Sequence, residues 1–434
     1  MIGDQQKIVF VVCHGRDAAL AHSVWEELKR RGMGDIFLPV STGEISKEKF
    51  DQGPEEAMTT FDMPFRRLQD YGTKDISKIL VREQASIMLL ADDQELIRRS
   101  FVLASNSLGI PNILIGGGGF FAPLPPVRIF QSTKASLFRL TYNFSNIAVK
   151  YLYLLSTLSG LRWGPLRTLR LLARDIWIAV SVCEANCTFG CQAFSVASTQ
   201  HKQALVQRGI DAHRIFVTGN PLYDGLVTAA VDTAQSINLR RSLGIDRDDK
   251  VILLLTSAHV EHGYWTRSMH ETFVTGIVNS LSPILGNSVR LIIKIHPLEN
   301  LHDYQAMLAS SSREATLLKD VKLSDIIGIA DVVIASYSAT VLDACILHKP
   351  VIFLHIFNEP EYLPYVAMGL ATGVYHLTKL KGAVEGLLYD RSCREEALSR
   401  VDSFLSENRQ YMDGRATSRV VDLIFKLIAA RGAS

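Results

Sequence analysis

Short apolar runs alternate along the chain with longer segments in which apolar residues recur at helical spacing. In the first half, the runs lie at residues 7–13, 36–40, 86–90, 110–115, 194–197 and 215–217. In the second half, they lie at residues 250–255, 290–295, 316–318, 332–335 and 351–354. Parallel strands need crossover connections, which are usually helices, so this alternation predicts an α/β protein. We expect two doubly wound, Rossmann-like parallel sheets with helices on both faces.

A polar segment at residues 231–236 separates the two series of strands and marks a domain boundary. We therefore predict an N-terminal domain at residues 1–230 and a C-terminal domain at residues 237–408. Residues 409–434 contain an amphipathic pattern with Val420, Val421 and Ile424 on one face. This pattern predicts a C-terminal helix that packs back on the N-terminal domain.

Composition and charge narrow the class of protein. The 434 residues are 47% hydrophobic and 21% charged with a formal net charge of +2, which is typical of a globular protein rather than a disordered or nucleic-acid-binding chain. Six cysteines are too few for a disulfide framework, and no signal-peptide pattern precedes residue 8. We therefore expect a cytoplasmic location. Cys183, Cys187 and Cys191 lack the spacing of an iron–sulfur site, which favours buried small side chains.

One stretch of the chain has an unusual charge distribution. Residues 96–174 contain no Asp or Glu but many Arg and Lys, and residues 134–177 add aromatic and aliphatic side chains. This mixture suits peripheral contact with anionic lipid, which would bring the protein to the inner face of a membrane. Amphipathic helices with a solvated basic face are the alternative. Lys150, Arg162 and Pro165 interrupt the apolar runs, so we expect no membrane-spanning helix.

Polar residues in the second half follow strands, at the points where doubly wound sheets bind ligands. His296 and Ser336 each come directly after a predicted strand. Ser338 and Thr340 begin the next predicted helix, and Asp343 lies one turn further on. Because helix N-termini and the carboxyl ends of parallel strands bind phosphate groups, these residues predict a site for a phosphorylated ligand. Helix capping by the two hydroxyls, a first-turn acid and a packed histidine are the structural alternatives.

Two further loops of the second half carry ionisable residues. The loop after the strand at residues 250–255 contains His259, Glu261 and His262, and we expect it to contribute to substrate binding. The loop after the strand at residues 351–354 contains Glu359, a candidate to bind ribose or sugar hydroxyls. The two histidines lack a third ligand at zinc spacing, so we predict no metal site.

The first half of the chain supplies candidates for proton transfer and substrate binding. His14 and Asp17 lie in the loop after the first strand, together with Arg16, a substrate-binding candidate. His14 or Asp17 is a candidate general base that removes the proton of an acceptor hydroxyl. Asp92 and Asp93, at the end of another strand, are rival candidates. Asp17 and Asp93 also fit ordinary helix N-caps.

Four consecutive glycines at positions 116–119 follow the strand at residues 110–115. Such a loop allows a ligand to approach the backbone closely, which makes Gly117 and Gly118 candidate substrate-binding positions. A flexible turn is the alternative. The run lacks the spacing of a dinucleotide fingerprint, so we predict neither NAD nor another cofactor.

Several short motifs of the second half occur in the same order in known enzymes. They are the pair His296 and Pro297, the pair Tyr337 and Ser338 followed by Asp343, the pair Lys349 and Pro350, and DGRATSR at residues 413–419. In these motifs the chain resembles the CDP-glycerol glycerophosphotransferases and related capsule polysaccharide transferases. The tandem arrangement of the two predicted domains resembles the GT-B glycosyltransferases and, more distantly, the UDP-N-acetylglucosamine 2-epimerases.

The resemblance implies a GT-B fold, in which two domains face each other across a cleft and the C-terminal domain binds a nucleotide-activated donor. It implies a transferase that moves a sugar or polyol phosphate to a glycan or lipid-linked acceptor in cell-surface polysaccharide synthesis. We expect the transfer to be inverting and independent of metal. Two alternatives remain, namely a nucleotide-sugar 2-epimerase and a non-catalytic nucleotide-sugar-binding protein.

The glycine run at positions 116–119 departs from both resembled families. It stands where the glycerophosphotransferases carry Trp-His-Gly, which argues against glycerol phosphate as the transferred group. It also stands where the epimerases carry a glutamate, and Leu342 and Asp343 replace the paired glutamates of those enzymes. These departures favour transfer over epimerisation.

Overall fold

The computed structural model describes residues 7–45, 53–93, 96–116, 144–181, 190–228, 233–261, 264–286, 288–309, 315–357, 361 and 363–432. The chain forms two compact units. Unit 1 comprises Met1–Asp224 and Tyr411–Ser434, and unit 2 comprises Gly225–Gln410. Each unit is built on its own parallel sheet, so the prediction of an α/β protein with two doubly wound sheets is confirmed.

Unit 1 contains a seven-stranded sheet in the order β3-β2-β1-β4-β5-β6-β7, counted over the described residues. The strands are β1 (Lys7–Val12), β2 (Phe37–Ser41), β3 (Arg66–Arg67), β4 (Ala85–Leu90), β5 (Asn112–Ile115), β6 (Ala193–Val196) and β7 (Ile215–Val217), and each pairs in parallel. The helices are α1 (Gly15–Arg30), α2 (Pro54–Thr60), α3 (Ile76–Arg82), α4 (Leu96–Ser107), α5 (Phe144–Gly160), α6 (Pro165–Ser181), α7 (Thr199–Gln207) and α8 (Pro221–Thr228).

The central strand of unit 1 is buried on both faces. Ile8 and Phe10 of β1 belong to the core cluster on one face, whereas Val9 and Val11 belong to the cluster on the other. Successive side chains of a strand point to opposite faces, so a strand covered on both sides must be apolar throughout. This requirement explains the uninterrupted apolar run at residues 8–13.

Unit 2 contains a six-stranded parallel sheet in the order β10-β9-β8-β11-β12-β13 among its described residues. The strands are β8 (Lys250–Leu255), β9 (Val289–Lys294), β10 (Ala315–Leu318), β11 (Val332–Ala335), β12 (Val351–Leu354) and β13 (Thr372–Val374). The helices are α9 (Thr233–Ser242), α10 (Arg267–Leu281), α11 (Leu301–Leu308), α12 (Leu323–Ile329), α13 (Thr340–Ile346), α14 (Leu377–Tyr389) and α15 (Arg391–Glu407).

The last helix, α16 (Ala416–Gly432), completes the core of unit 1. Its residues Val420, Val421 and Ile424 are fully buried in the same cluster as Ile8 of β1. The carboxylate of Asp224 accepts hydrogen bonds from the first two N–H groups of α16, at 2.9 and 2.7 Å. A carboxylate at this end satisfies unpaired N–H groups and the positive end of the helix dipole, so Asp224 fixes where α16 begins.

Part of the acid-free, basic region lies within unit 1 as α5 and α6. The inner side of α5 is buried through Tyr153, Leu154 and Leu158. In contrast, Leu166 and Leu169 of α6 are 64% and 62% exposed. None of the described helices is long and apolar enough to cross a bilayer. Residues 134–143 of the predicted membrane-contact region lie outside the described residues.

One basic residue of that region is not on the surface at all. Arg98 of α4 is 0% exposed, which corrects the expectation that the basic side chains of residues 96–174 are solvated or face lipid. Cys191 is buried, as expected for a small core residue, whereas Cys183 and Cys187 lie outside the described residues.

Candidate functional site

The strand orders place one crevice in each sheet. In unit 2, the chain leaves β8 toward β9 on one side, while β11 lies on the other side of β8. In unit 1, β1 and β4 are neighbours in the same way. Ligands of open α/β sheets bind outside the carboxyl ends of the strands at such switch points. The residues that follow β8, β11, β1 and β4 are therefore the candidates in each unit.

Two predicted residues meet at the switch point of unit 2. The imidazole Nε2 of His259, after β8, lies 2.9 Å from the hydroxyl of Ser336, after β11. Both side chains are buried, and the ring of His259 packs 4.2 Å from that of Trp265 between centroids. Each of these buried polar groups has a hydrogen-bond partner, and breaking the bond would be costly. The pair thus holds the loops after β8 and β11 together.

His296 is half-buried after β9, and a backbone group nearby determines which ring nitrogen carries the proton. The N–H of Leu298 donates to Nδ1 of His296 at 3.2 Å. Because Nδ1 accepts this bond, the imidazole takes the neutral tautomer with its proton on Nε2. His296 therefore carries its one N–H on Nε2, and an N–H group is the kind of donor that a phosphate oxygen accepts from.

A buried carboxylate organises the same loop. Oε2 of Glu299 accepts hydrogen bonds from the hydroxyl of Thr256 and, at 3.1 Å, from the backbone N–H of His296. That N–H also donates to the Thr256 hydroxyl at 2.8 Å. Burial raises the pKa of Glu299 to about 7. Glu299 and Thr256 thus fix the position of His296, and neither was among the sequence-based candidates.

The raised pKa of Glu299 predicts a pH dependence of stability. In the unfolded chain Glu299 loses its proton near its ordinary pKa of 4.5, whereas the folded protein retains it to about pH 7. Folding therefore takes up a proton between these values, and the free energy of unfolding falls as pH rises through this window, on the order of 3 kcal/mol. Glu299→Gln should flatten that fall in urea unfolding at pH 5 and pH 7.5. An identical pH dependence in both proteins would contradict this assignment.

The hydroxyls of Ser338 and Thr340 lie 2.8 Å apart at the start of α13, and both residues are half-buried. The hydroxyl of Ser338 also accepts a bond from the backbone N–H of Thr340 at 3.3 Å. The backbone carbonyl of Ser338 accepts from the buried Tyr365 hydroxyl at 2.9 Å, which holds the turn. Asp343 is half-buried in the first turn of α13. These hydroxyls can reorient toward a ligand, because hydroxyl protons rotate freely.

A second group of polar side chains lies at the ends of β11, β12 and β13. The hydroxyl of Tyr337 lies 3.0 Å from Nε2 of His355. Nδ1 of His355 lies 3.8 Å from Glu361, whose carboxylate accepts a bond of 2.8 Å from Tyr375. His355 directly follows β12, so the strand-end rule that selected His296 applies to it as well. Sequence reasoning missed His355 and Tyr375.

Several candidates of unit 2 do not join this arrangement. Glu261 is exposed. His262 and Glu359 lie outside the described residues. No group of three or more His, Cys, Asp or Glu that could hold a metal ion occurs in the part of the chain that the structure describes.

At the switch point of unit 1, the start of α1 and the loop after β4 meet through Arg98 of α4. Arg16 and Asp17 lie in the first turn of α1, which corrects their predicted place in the loop after β1. The guanidinium of Arg98 forms ion pairs with Asp17 and Asp92. The same oxygen of Asp17 accepts the backbone N–H groups of Cys13 and His14, at 2.8 and 2.9 Å. A carboxylate that accepts several such hydrogen bonds is firmly held in place, so the geometry gives Asp17 a structural role.

The remaining candidates of unit 1 differ in exposure. His14 is half-buried directly before α1, and Arg16 is exposed. Asp93 is buried with 1% exposure. Gly117 and Gly118 lie outside the described residues. Of the four candidate bases, Asp17 and Asp92 pair with Arg98 and Asp93 is buried, whereas His14 is a half-buried imidazole.

Comparison with known proteins identifies the family. The family model described as CDP-Glycerol:Poly(glycerophosphate) glycerophosphotransferase matches residues 190–426. The teichoic acid ribitol-phosphate polymerase TarL of Staphylococcus aureus (strain NCTC 8325 / PS 47) is 25% identical over 231 residues, which cover 50% of this chain and 38% of TarL. The chain therefore matches well under half the length of that relative.

Two solved structures share the fold. The wall teichoic acid polymerase TagF, in a variant soaked with CDPG, superposes with a TM-score of 0.57 and 15% identity over 98% of this chain and 90% of that one. The S. aureus MnaA–UDP structure superposes with a TM-score of 0.59 and 13% identity over 98% and 97%. At such identities the likeness shows the GT-B fold alone.

The family model covers more than half of the 434 residues. The predicted resemblance is therefore confirmed by the family model, and the GT-B fold is confirmed by the two solved structures. This chain belongs to the CDP-glycerol:poly(glycerophosphate) glycerophosphotransferase family.

Proposed function

We propose that the protein transfers a sugar or polyol phosphate from a nucleotide-activated donor to a glycan or lipid-linked acceptor in the synthesis of a cell-envelope polymer. The observation that carries the proposal is the bonded pair of His259 and Ser336 at the switch point of unit 2. Ser338 and Thr340 follow β11 at the same point, and His296 follows the neighbouring strand β9. Family membership supports the proposal, as do the names of TarL and TagF and the two solved structures, one soaked with CDPG and the other determined with UDP.

The chemistry requires stabilisation of a leaving nucleotide. The Nε2–H of His296 and the hydroxyls of Ser338 and Thr340 are neutral donors that can bind phosphate oxygens as negative charge develops. The N–H of Leu298 donates to His296 and the hydroxyl of Tyr365 donates to Ser338, while the Glu299 carboxylate accepts from the backbone N–H of His296. In this proposal the side chains of unit 2 supply the stabilisation, and transfer is inverting and independent of metal.

In unit 1, His14 takes the role of general base toward the acceptor hydroxyl. The ion pairs of Asp17 and Asp92 with Arg98 favour His14 over these two aspartates, and burial disfavours Asp93. A histidine is suited to this step because its neutral form accepts a proton near neutral pH.

A panel of donors tests the function. The pure protein is incubated with CDP-, UDP-, GDP- and CMP-linked donors, and binding and released nucleotides are measured with and without added acceptor. Transfer of a sugar from a nucleoside-diphosphate donor releases the diphosphate, whereas transfer of a polyol phosphate releases the monophosphate. Conversion of UDP-N-acetylglucosamine to its manno epimer would overturn the proposal. Binding without turnover of any donor would instead indicate a binding protein.

Replacement of His296 by alanine should weaken binding of the best donor by about ten- to a hundredfold, because a hydrogen bond to a charged phosphate is lost. The matched control is His376→Ala, which removes an exposed histidine from unit 2 and should leave affinity unchanged. Isothermal titration with the donor measures both. Unaltered affinity in the His296 variant would remove His296 from the donor site.

We also propose that α6 contacts an anionic membrane through Leu166 and Leu169, beside exposed arginines such as Arg167 and Arg170. Replacing both leucines with glutamate should weaken co-sedimentation with phosphatidylglycerol vesicles by about tenfold or more, since apolar burial is lost and like charges are added. Val81→Glu is the control, because Val81 is 61% exposed elsewhere in unit 1. Equal vesicle binding by the parent, the double leucine variant and Val81→Glu would exclude α6 as the membrane-contact surface.

A further inference from the structure

A cavity of about 250 Å³ lies in unit 2, beside the loop that carries His296. Its lining comes from the first turns of α10, from Glu299 and Asn300, and from α11. A water molecule occupies about 30 Å³ in the liquid, so the cavity exceeds the space of a few waters and matches a small organic molecule. Neither the donor contacts nor the proton transfer proposed above uses it.

Three buried polar atoms of the cavity lining make no hydrogen bond of good geometry among the described residues, although Glu299 and Tyr304 are near enough to interact with each other. They are Nδ1 of His270, Oε1 of Glu299 and the hydroxyl of Tyr304. The three residues are 8%, 3% and 1% exposed. Nδ1 of His270 lies 3.9 Å from Oε1 of Glu299, too far for a hydrogen bond, and the rings of His270 and Tyr304 are 5.3 Å apart.

Such a cluster is costly unless something satisfies it. Each buried polar atom without a partner costs about 1–3 kcal/mol, and most buried polar atoms in folded proteins are paired. Three of them together, in residues that line one cavity, indicate a ligand that makes several hydrogen bonds at once.

The hydrogen-bonding capacity of the cluster defines that ligand. A carboxylate oxygen accepts, a phenol hydroxyl both donates and accepts, and an imidazole nitrogen does one or the other. Adjacent hydroxyl groups match this mixed set. The lining also carries Glu261, Glu271 and Asp303, and the charge of Asp303 is paired with Arg267 at 2.9 Å. This excess of acidic groups disfavours a phosphate.

We propose that the cavity binds a small neutral polyol through His270, Glu299 and Tyr304. Glu299 connects this site to the loop of His296, because its other oxygen accepts from Thr256 and from the His296 N–H. A polyol bound at Oε1 orders the carboxylate that fixes His296. Polyol and donor therefore affect each other's affinity reciprocally. The polyol site goes beyond the proposed transfer reaction, whereas its coupling to the donor rests on the proposed role of His296.

Saturation-transfer NMR on the full chain tests the site, with glycerol and ribitol as probes and glycerol 3-phosphate as the charged comparison. We expect magnetisation to be transferred from the protein to at least one polyol. In Tyr304→Phe the dissociation constant should be about 2- to 10-fold higher, because one hydrogen bond is removed while the ring stays. Tyr389→Phe, at a tyrosine that is 60% exposed, is the matched control and should bind like the parent.

If neither polyol receives saturation transfer, the proposal is overturned. Equal polyol affinity of Tyr304→Phe and the parent also overturns it. Tighter binding of glycerol 3-phosphate than of glycerol overturns the neutral character of the ligand. If Tyr304→Phe does not fold, His270→Gln replaces it with the same expectation. Donor binding is measured in parallel, so a protein that binds donors but no polyol refutes the polyol site alone.

Discussion

Replacing His14 with alanine is expected to reduce turnover of the best donor and acceptor pair by about a hundred- to ten-thousandfold, the usual contribution of a general base. Donor affinity should stay unchanged, because the proposed phosphate contacts all belong to unit 2. The fold should survive, since alanine retains the backbone N–H of residue 14 that donates to Asp17 and loses only the bond that the His14 side chain accepts at the start of α1, a capping contact worth about 1 kcal/mol. Steady-state kinetics together with donor titration separate the two effects.

The control for His14 is His213→Ala, which removes an exposed histidine from unit 1. Its turnover should match that of the parent. Asp17→Asn adds a second comparison, because it leaves the imidazole in place while weakening the pairing with Arg98. Full activity of the His14 variant would transfer the role of base to another group, and loss of activity with loss of donor affinity would indicate a structural effect.

Replacing Arg98 with alanine is expected to lower the free energy of unfolding by about 3–5 kcal/mol, because the buried carboxylate of Asp17 loses its countercharge. The effect should be local to unit 1. Hydrogen exchange measured by mass spectrometry distinguishes the units, and we expect the amides of β1 and β4 to lose protection while those of β8 and β9 keep it.

The matched control for Arg98 is Arg30→Ala. Arg30 is also an arginine on a helix of unit 1 and is paired with Glu27, but its side chain is 69% exposed. Exposed ion pairs contribute little, so this variant should exchange like the parent. Equal protection of β1 in both variants would show that Arg98 does not hold the loops after β1 and β4 together.

The sequence predicted the strands that are buried on both faces and missed two that are not. The runs at β1, β8 and β11 consist of apolar residues because helices cover both sides of each sheet. In contrast, β3 is two exposed arginines and β13 is the half-buried segment Thr372–Val374. Both are short edge strands, which need neither apolar side chains nor length to pair on one side. Hydrophobic pattern carries no signal for such strands.

The candidate site was predictable only as far as its residues follow strands. That rule selected His259 and Ser336, which lie within hydrogen-bonding distance although they are far apart in sequence. It also applies to His355, which was overlooked. Arg98 could not be found this way, because its burial depends on Asp17, a partner on another helix that spacing does not reveal. Glu299 looks like an ordinary loop acid until its burial is known.

Because α16 comes last in the chain but belongs to unit 1, the order of synthesis has a consequence for folding. Unit 1 is built from two separate stretches, and all of Gly225–Gln410 is translated before α16. Until then, the apolar surface of the cluster that receives Val420, Val421 and Ile424 has no cover. Nascent unit 1 therefore waits, partly assembled and prone to aggregation, while unit 2 can already fold on the ribosome. Chaperone dependence should accordingly be greatest during synthesis of the second unit and end when the last helix emerges.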